Sequence, residues 1–219
     1  TGLTAFELVP ETGVAGTIES FGVVRPMATR SDWYLLGRFS GTSPVDDTAT
    51  AFLSEAVEAG LLLDAVVADT GAQEENLWVL RDELPPETLF DVKGAKFDAA
   101  VPIDRVAEYQ RAAEAVAAEL CGDEAVVYAF GHLGDGNLHL YVNASLERGS
   151  RMDPARVDEV QAAIDRLTWE MGGTVSAEHG VGQELLDRVA GQKSAVELAM
   201  MRRVKAALDP DDLFNPGRG

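Results

Sequence analysis

Two of the three histidines in the chain lie close together, on either side of a turn signal. Residues 131–139 read GHLGDGNLH, which places His132 and His139 around Asp135 and Gly136. Asp-Gly is a strong signal for a two-residue hairpin turn, and such a turn would set His132 directly opposite His139. Residues opposite each other in a hairpin project from one face, with Cβ atoms roughly 4.5–5.5 Å apart. Two imidazoles at this separation can hold one metal ion, although packing at a glycine-rich turn is the plainer interpretation for either histidine alone.

The third histidine, His179, follows a glutamate in the segment SAEHG at residues 176–180. Two histidines and one carboxylate form a common ligand set for a catalytic divalent metal, so Glu178 is the candidate third ligand. Glu178 could also be a solvated charge, but it lies in a stretch of low charge where a buried carboxylate needs a partner. In an extended backbone Glu178 and His179 would point to opposite sides, which leaves His179 available for proton transfer near neutral pH.

Two basic residues, Arg81 and Lys96, are a further candidate feature. Arg81 ends an apolar stretch and Lys96 opens a predicted strand. From the residues alone, exposed surface charge is the favoured interpretation. As a pair on adjacent elements they could instead bind a carboxylate, the arginine through two hydrogen bonds and the lysine as a point charge.

Composition narrows the class of protein. The chain has 219 residues, an apolar fraction of 46% and a formal net charge of −19, which fits a globular domain with a sizeable core and argues against nucleic acid or an anionic membrane surface as partner. The single cysteine, Cys121, fits a reducing compartment, and we expect a cytoplasmic location. No apolar run reaches the ~20 residues of a membrane span. The chain starts at Thr1 without a signal peptide, and we interpret it as a piece of a longer protein.

Extended and helical patterns alternate along the chain. Apolar and aromatic runs predict strands near residues 5–9, 32–40, 62–68, 96–102, 124–130 and 138–143. Apolar spacing predicts helices after residue 46 and over residues 74–83, 103–120, 154–171 and 193–208. The hairpin and the helical connections together predict an α+β fold, a mostly antiparallel sheet covered by helices.

Three motifs together resemble a known family. They are GHLGDGNLH at residues 131–139, SAEHGVG at 176–182 and LDPDDLFNPG at 208–217, supported by AFEL at 5–8 and KFDAAVP at 96–102. These motifs are similar to the C-terminal domain of FAD-linked oxidases, specifically the metal-dependent D-2-hydroxy acid dehydrogenases that act on D-lactate, D-2-hydroxyglutarate or glycolate. The resemblance covers residues 1–219 and implies one substrate- and metal-binding domain with a ferredoxin-like sheet. The N-terminal FAD-binding domain of such enzymes is missing from this sequence.

The resemblance implies a metal site and a base. His132, His139 and Glu178 match the residues that bind a divalent metal in this family, zinc or manganese. His179 matches the residue that acts as general base. The implied reaction is oxidation of a D-2-hydroxy acid to the 2-oxo acid, with hydride transfer to FAD.

The resemblance also implies contacts to substrate and cofactor. Arg81 and Lys96 match residues that hold the substrate carboxylate, and Tyr141 lies at a substrate-binding position. Asn137 and Asn215 are the positions expected to contact FAD, which the missing domain would hold for the most part.

Two positions depart from the pattern of the D-2-hydroxyglutarate enzymes. Pro85 stands where they have a threonine four residues after the arginine, and Tyr141 stands where they have an asparagine two residues after the second histidine. Both departures weaken the expectation of D-2-hydroxyglutarate and leave lactate or another small or apolar-tailed 2-hydroxy acid as the substrate.

The expected partners are a small 2-hydroxy acid, the FAD-binding domain of the same protein and an electron-accepting redox partner. A homodimer is an alternative if the flavin-facing surface is apolar. We expect the fragment to be inactive alone. A non-catalytic metal-binding or assembly module of a multi-subunit flavoprotein dehydrogenase is the alternative function. A metal-free relative that oxidises aromatic alcohols through tyrosines fits less well, because the paired histidines would then have no purpose.

Overall fold

The computed structural model describes residues 2–42, 45–84 and 89–216. Its strands are β1 (Gly2–Pro10), β2 (Trp33–Ser40), β3 (Ala95–Ala100), β4 (Val126–His132) and β5 (Asn137–Asn143). They form one sheet in the order β2-β1-β4-β5-β3. Each adjacent pair is antiparallel, so the sheet is antiparallel throughout.

Helices connect the strands and follow them. They are α1 (Glu11–Phe21), α2 (Val45–Glu58), α3 (Gly71–Asp82), α4 (Val106–Cys121), α5 (Pro154–Glu170), α6 (Leu186–Gln192) and α7 (Ala195–Leu208). A short 3₁₀ turn, Ile103–Arg105, leads into α4. Asp153 caps α5 by accepting a hydrogen bond from the Ala155 backbone N–H at 2.9 Å, as the Asp-Pro pair in the sequence predicts.

The second half of the sheet has ferredoxin-like connectivity. β3, α4, β4, β5 and α5 follow one another as a βαββα unit, and its strands lie in the order β4-β5-β3. After α5, Thr174 forms an isolated antiparallel bridge to Ala100 at the outer edge of β3, where the fourth strand of such a unit would lie. The predicted α+β class is therefore confirmed.

The main core lies between α4, α5 and one face of the sheet. Its fully buried side chains include Leu138, Leu140 and Val142 of β5, which meet Tyr109, Ala113, Val160 and Ile164 of the two helices. Truncating one of these large apolar side chains to alanine costs about 2–5 kcal/mol in a typical core. Because side chains alternate along a strand, this packing also fixes the residues between them, including His139, on the opposite face.

The opposite face is covered by α1 and α3. A smaller apolar cluster joins Val9, Val14 and Leu80 to Tyr128 and Phe130 of β4. At the end of β4 and β5 this covering stops, and the side chains of the candidate site begin.

Most predicted elements are confirmed, with one error and two omissions. The predicted strand at residues 62–68 is wrong, because these residues form an irregular segment that lines an apolar cavity of about 760 Å³ beside β2. A short apolar run does not reveal whether its backbone will pair with a strand or only pack its side chains. The sequence patterns also did not predict α1, which carries two buried glycines, or the short α6.

Glu11, at the start of α1, lies at the centre of a cluster of charged and polar side chains. It accepts hydrogen bonds from Arg25, Arg30 and the Tyr34 hydroxyl at 2.7–3.0 Å. Burial alone would raise the pKa of Glu11, but the hydrogen bonds from Arg25 and Tyr34 outweigh it and lower the pKa below its usual value.

We expect Glu11→Gln to lower the free energy of unfolding by about 1–2 kcal/mol at pH 7, because a partly buried carboxylate with charged partners is lost. The folded-state pKa is the lower one, so this stabilisation is present above the unfolded-state pKa and disappears as the pH falls through the folded-state value. Urea unfolding of both proteins between pH 7 and pH 3 measures the difference. A difference in the free energy of unfolding that grows towards pH 3 would contradict the prediction.

Candidate metal centre

The two hairpin histidines project from one face of the sheet. His132 and Phe130 are two residues apart on β4, and Phe130 pairs directly with His139 on β5. The His132 and His139 ring centroids are 5.9 Å apart, and the His139 ring lies 5.2 Å from the Phe130 ring. The hairpin therefore brings both imidazoles to one place.

The predicted pairing of His132 with His139 is nevertheless wrong by two residues. Phe130 is the partner of His139, and four residues rather than two separate the strands. Asp135 supports this longer turn, because its side chain accepts a hydrogen bond from the Asn137 backbone N–H at 3.1 Å. A register shift by an even number keeps every side chain on its face, so the two histidines still converge.

Glu178 bridges the two imidazoles. Its Oε2 lies 3.3 Å from His132 Nε2 and its Oε1 lies 3.2 Å from His139 Nε2. We call His132, His139 and Glu178 the candidate triad. The side chains of His132 and Glu178 are 38% and 41% exposed, so a small molecule can reach the triad from solvent.

The expectation that Glu178 and His179 point to opposite sides is wrong. The backbone bends at residues 177–179, and His179 Nε2 lies 3.4 Å from Glu178 Oε1. The His179 ring also stacks on the His139 ring, with centroids 5.3 Å apart and planes 20° apart. His179 thus borders the candidate triad directly.

Asp98 of β3 causes this bend, and sequence reasoning missed it. Its Oδ2 accepts backbone hydrogen bonds from Ala177 at 3.2 Å and from Glu178 and His179 at 2.9 Å each, so the loop curls around the carboxylate. Asp98 pairs with His139 in the sheet register. One signal was present in the sequence, since a lone carboxylate in the apolar strand AKFDAA needs buried partners.

The hydrogen bonds of Asp98 also define its charge state. Its Oδ1 accepts from the Asn137 side chain at 2.8 Å. Burial would raise the pKa of Asp98, but the backbone N–H groups of His179 and Glu178 and the Asn137 amide outweigh it and lower the pKa. Asp98 is therefore an ionised carboxylate at neutral pH.

Asp98 and His179 also enter a second, overlapping group of ligand-type atoms. One such atom from each of Asp98, His139, Glu178 and His179 lies within 4.8 Å of the others. Since both Asp98 oxygens already accept hydrogen bonds, we favour Asp98 as the residue that supports the loop rather than as a ligand.

A second buried carboxylate, Glu7 of β1, supports the other side of the site. Its Oε1 lies 2.8 Å from His132 Nδ1, and its Oε2 accepts from Arg81 Nε at 2.7 Å. The Glu7 side chain is only 5% exposed. Arg81 is buried, although the residues alone favoured an exposed surface charge. Its guanidinium lies over the Phe130 ring, 5.2 Å from the ring centroid.

The pKa values of the two histidines of the triad are shifted in opposite directions. Burial lowers the pKa of His139, and the nearby Glu178 and Asp98 charges offset this only in part. Burial also acts to lower the pKa of His132, but the hydrogen bond and charge of Glu7 outweigh it and raise the pKa.

Three of the remaining predicted site residues, Lys96, Tyr141 and Asn137, lie on β3 and β5. The ammonium of Lys96 lies 5.7 Å from the Tyr141 ring centroid, and Tyr141 stacks on Phe130 at 5.9 Å, so both share the face of the triad. Asn137 is buried and its amide donates to Asp98 and to the Ala99 carbonyl.

Two positions lie elsewhere. Asn215 is exposed in the turn after α7, with a positive φ of 50°, and shares no contact with the triad in the part of the chain that the structure describes. Pro85 lies outside the described residues.

The donor atoms of the triad fit a divalent cation. Glu7 can only accept hydrogen bonds, so His132 Nδ1 must carry a hydrogen, and in the neutral imidazole Nε2 then has a lone pair. That lone pair faces a Glu178 oxygen, which is also an acceptor, so a shared cation, or a proton on Nε2, makes the contact favourable. Two donors each about 2.1 Å from one ion lie roughly 3.0–3.4 Å apart, which matches the observed 3.2 and 3.3 Å.

Comparison with known proteins agrees with this geometry. Residues 1–218 match the family described as "FAD linked oxidases, C-terminal domain". The chain belongs to this family. Among the relatives of this FAD-linked oxidase domain, D-2-hydroxyglutarate dehydrogenase of Stutzerimonas stutzeri (strain A1501) is 32% identical over 221 residues, 99% of this chain and 46% of the relative.

Two further relatives are also named as dehydrogenases of D-2-hydroxy acids. D-lactate dehydrogenase of Anaerostipes hadrus is 34% identical over 84% of this chain and 38% of its own length. The mitochondrial D-2-hydroxyglutarate dehydrogenase of Arabidopsis thaliana is 29% identical over 98% of this chain and 37% of its own length. This FAD-linked oxidase domain therefore spans less than half the length of these relatives. Within the described residues, no helix has the length and apolar character needed to cross a bilayer.

Proposed function

We propose that this chain is the substrate- and metal-binding domain of a flavin-dependent dehydrogenase that oxidises a D-2-hydroxy acid to the 2-oxo acid. The observation that carries the proposal is that Glu178 lies 3.3 Å from His132 and 3.2 Å from His139, with a third histidine beside it. The family and the names of the relatives support FAD as the redox cofactor and a D-2-hydroxy acid as the substrate class.

The candidate triad would hold the metal, and His179 would act as the base. A divalent metal makes a bound hydroxyl more acidic, and FAD accepts a hydride. The His179 side chain is 64% exposed, and its Nδ1 lies 3.4 Å from Asp98 Oδ2. With Nδ1 beside Asp98, His179 can take the hydroxyl proton of the substrate through Nε2, which lies next to the triad.

Arg81 and Lys96 would hold the substrate carboxylate. Arg81 is fixed by Glu7 and by the Phe130 ring, and Lys96 shares the same sheet face. A fixed guanidinium and a nearby ammonium are suited to one carboxylate, and the strong negative charge of the chain as a whole does not prevent such a local basic pocket.

The side chain of the substrate is proposed to be small or apolar. Tyr141 presents an aromatic ring stacked on Phe130, where an asparagine would offer an amide to a second carboxylate. We therefore favour D-lactate or a similar acid over D-2-hydroxyglutarate. Zinc and manganese both suit two imidazoles and a carboxylate.

The apolar side of α7 is proposed to contact the FAD-binding domain. No residue of α7 is buried within the described part of the chain, and its residues Met200, Val204 and Leu208 are 59–80% exposed. Leu213 and Phe214, in the segment after the helix, are each 71% exposed. A patch of this size needs a partner, and in the isolated fragment a second copy could cover it. A cytoplasmic location remains part of the proposal.

The proposal is tested by joining the chain to its upstream sequence and assaying dye reduction with D-lactate, L-lactate, glycolate and D-2-hydroxyglutarate. We expect activity with D-lactate or another small D-acid, loss of activity after chelation, and recovery on addition of Zn²⁺ or Mn²⁺. Equal rates before and after complete removal of divalent metal would contradict the proposal, as would reduction by none of the acids.

A further inference from the structure

Glu7 touches two parts of the site that have separate tasks. One of its oxygens lies 2.8 Å from Nδ1 of His132, a candidate metal ligand. The other lies 2.7 Å from Nε of Arg81, which is proposed to hold the substrate carboxylate. Sheet pairing sets this arrangement, because Glu7 on β1 lies directly opposite His132 on β4. The carboxylate is almost completely buried, so its hydrogen bonds come from these two partners rather than from water, and Arg81 balances its charge.

We infer that Glu7 is a positioning residue that fixes the tautomer of His132 and the orientation of Arg81 through one shared carboxylate. This inference rests on the proposed function and deepens it, because it links metal binding to the binding of the substrate carboxylate.

The donors and acceptors around Glu7 determine the tautomer of His132. A carboxylate accepts hydrogen bonds only, and Arg81 Nε–H is always a donor. With one oxygen occupied by Arg81, the other can meet His132 only as an acceptor, so the hydrogen lies on Nδ1. In the neutral imidazole the Nε2 lone pair then points to Glu178 Oε2, and a second carboxylate behind a ligand histidine also makes that ligand more basic.

Glu7 also links the charge at the metal site to Arg81. A cation held by His132 Nε2 would withdraw electron density from the imidazole, and Nδ1–H would then be a stronger donor to Glu7. The same carboxylate holds Arg81, so the hydrogen bonds of Glu7 to His132 and to Arg81 depend on one another. Loss of Glu7 should weaken both metal and substrate binding.

Glu7→Gln in the full-length protein tests the inference. Glutamine has nearly the same shape but offers one accepting oxygen and one donating nitrogen, while both partners are donors. Either Arg81 loses its contact, or His132 turns to the tautomer with hydrogen on Nε2. We expect Zn²⁺ affinity, measured by chelator competition, to fall about 10–100-fold. We expect KM for the hydroxy acid to rise about tenfold with a smaller change in kcat of the metal-saturated enzyme.

Glu11→Gln is the matched control. It makes the same substitution in a carboxylate that also pairs with arginine, but Glu11 has no contact with the triad. It should keep Zn²⁺ affinity and KM within about twofold of the wild type, although it lowers stability. If Glu7→Gln does not fold, Glu7→Asp replaces it. Aspartate keeps the charge but is one methylene too short for both contacts, so an intermediate loss is expected.

The outcomes separate this inference from the proposed function. Wild-type protein that binds Zn²⁺, together with a folded Glu7→Gln variant of equal Zn²⁺ affinity, overturns the role of Glu7 alone. Equal losses in Glu7→Gln and Glu11→Gln overturn it as well, because the effect is then general destabilisation. Wild-type protein that binds no divalent metal overturns both the inference and the proposed function.

Discussion

Replacing Asp98 with asparagine is expected to lower the free energy of unfolding by about 2–4 kcal/mol and to weaken metal binding about 10–100-fold. Asp98 is a buried, ionised acceptor that holds three consecutive backbone N–H groups and the Asn137 amide. Asparagine has one accepting oxygen and places an NH₂ group where every neighbour is a donor. The loop at residues 177–179 should then lose the bend that brings Glu178 to the two histidines.

Chemical unfolding and chelator competition measure the two effects. Asp135→Asn is the control, because it makes the same substitution at an exposed turn position where asparagine can replace the side-chain oxygen that accepts from Asn137. It should change stability by less than about 0.5 kcal/mol. An Asp98→Asn variant as stable as Asp135→Asn would show that the loop is held by other contacts.

His179→Gln and His139→Gln are expected to inactivate the full-length enzyme for different reasons. His179→Gln removes the proposed base, so kcat should fall about 10²–10⁴-fold while metal content stays at the wild-type level. His139→Gln removes a proposed ligand, so metal content and activity should fall together. Metal analysis and turnover of each purified variant, at saturating substrate, separate the two roles.

Each alternative has a distinct result in that experiment. If His179→Gln also loses the metal, His179 is a ligand, as its place in the overlapping group with Asp98 allows. If His179→Gln turns over near the wild-type rate, the non-catalytic assembly module becomes the better description of the domain.

The turn signal correctly predicted that the two hairpin histidines come together, because an error of two residues in the strand register leaves side chains on the same face. The turn prediction placed His139 opposite His132, whereas its partner is Phe130. The error of two residues left the side chains on the same face, since only odd shifts move a side chain across a sheet. The same reasoning fixed the class of the fold from alternating elements and a hairpin.

What the sequence could not reveal were the contacts between distant segments. Glu7 and Asp98 come from β1 and β3, and each supports residues more than 70 positions away in the chain. Local patterns carry no information about these pairings. The assumption of an extended backbone at Glu178 failed for the same reason, because the bend depends on a carboxylate supplied by another strand.

The irregular segment at residues 62–68 shows a second limit of predicting structure from sequence patterns. Its apolar residues suggest a strand, but they line a cavity together with residues of β2, α2 and α3 instead of pairing with a strand. Hydrophobic content indicates that a segment is partly buried. It does not indicate where the backbone hydrogen bonds of that segment go.

The most direct test of the account is the divalent metal content of the full-length protein purified without chelators, compared with that of Glu178→Gln. We predict about one equivalent of Zn²⁺ or Mn²⁺ per chain in the wild type and a large loss in the variant, because Glu178 is the only carboxylate placed between the two imidazoles among the residues described. Wild-type protein without bound metal, or a Glu178→Gln variant with full occupancy, would contradict the convergence of these side chains on one cation.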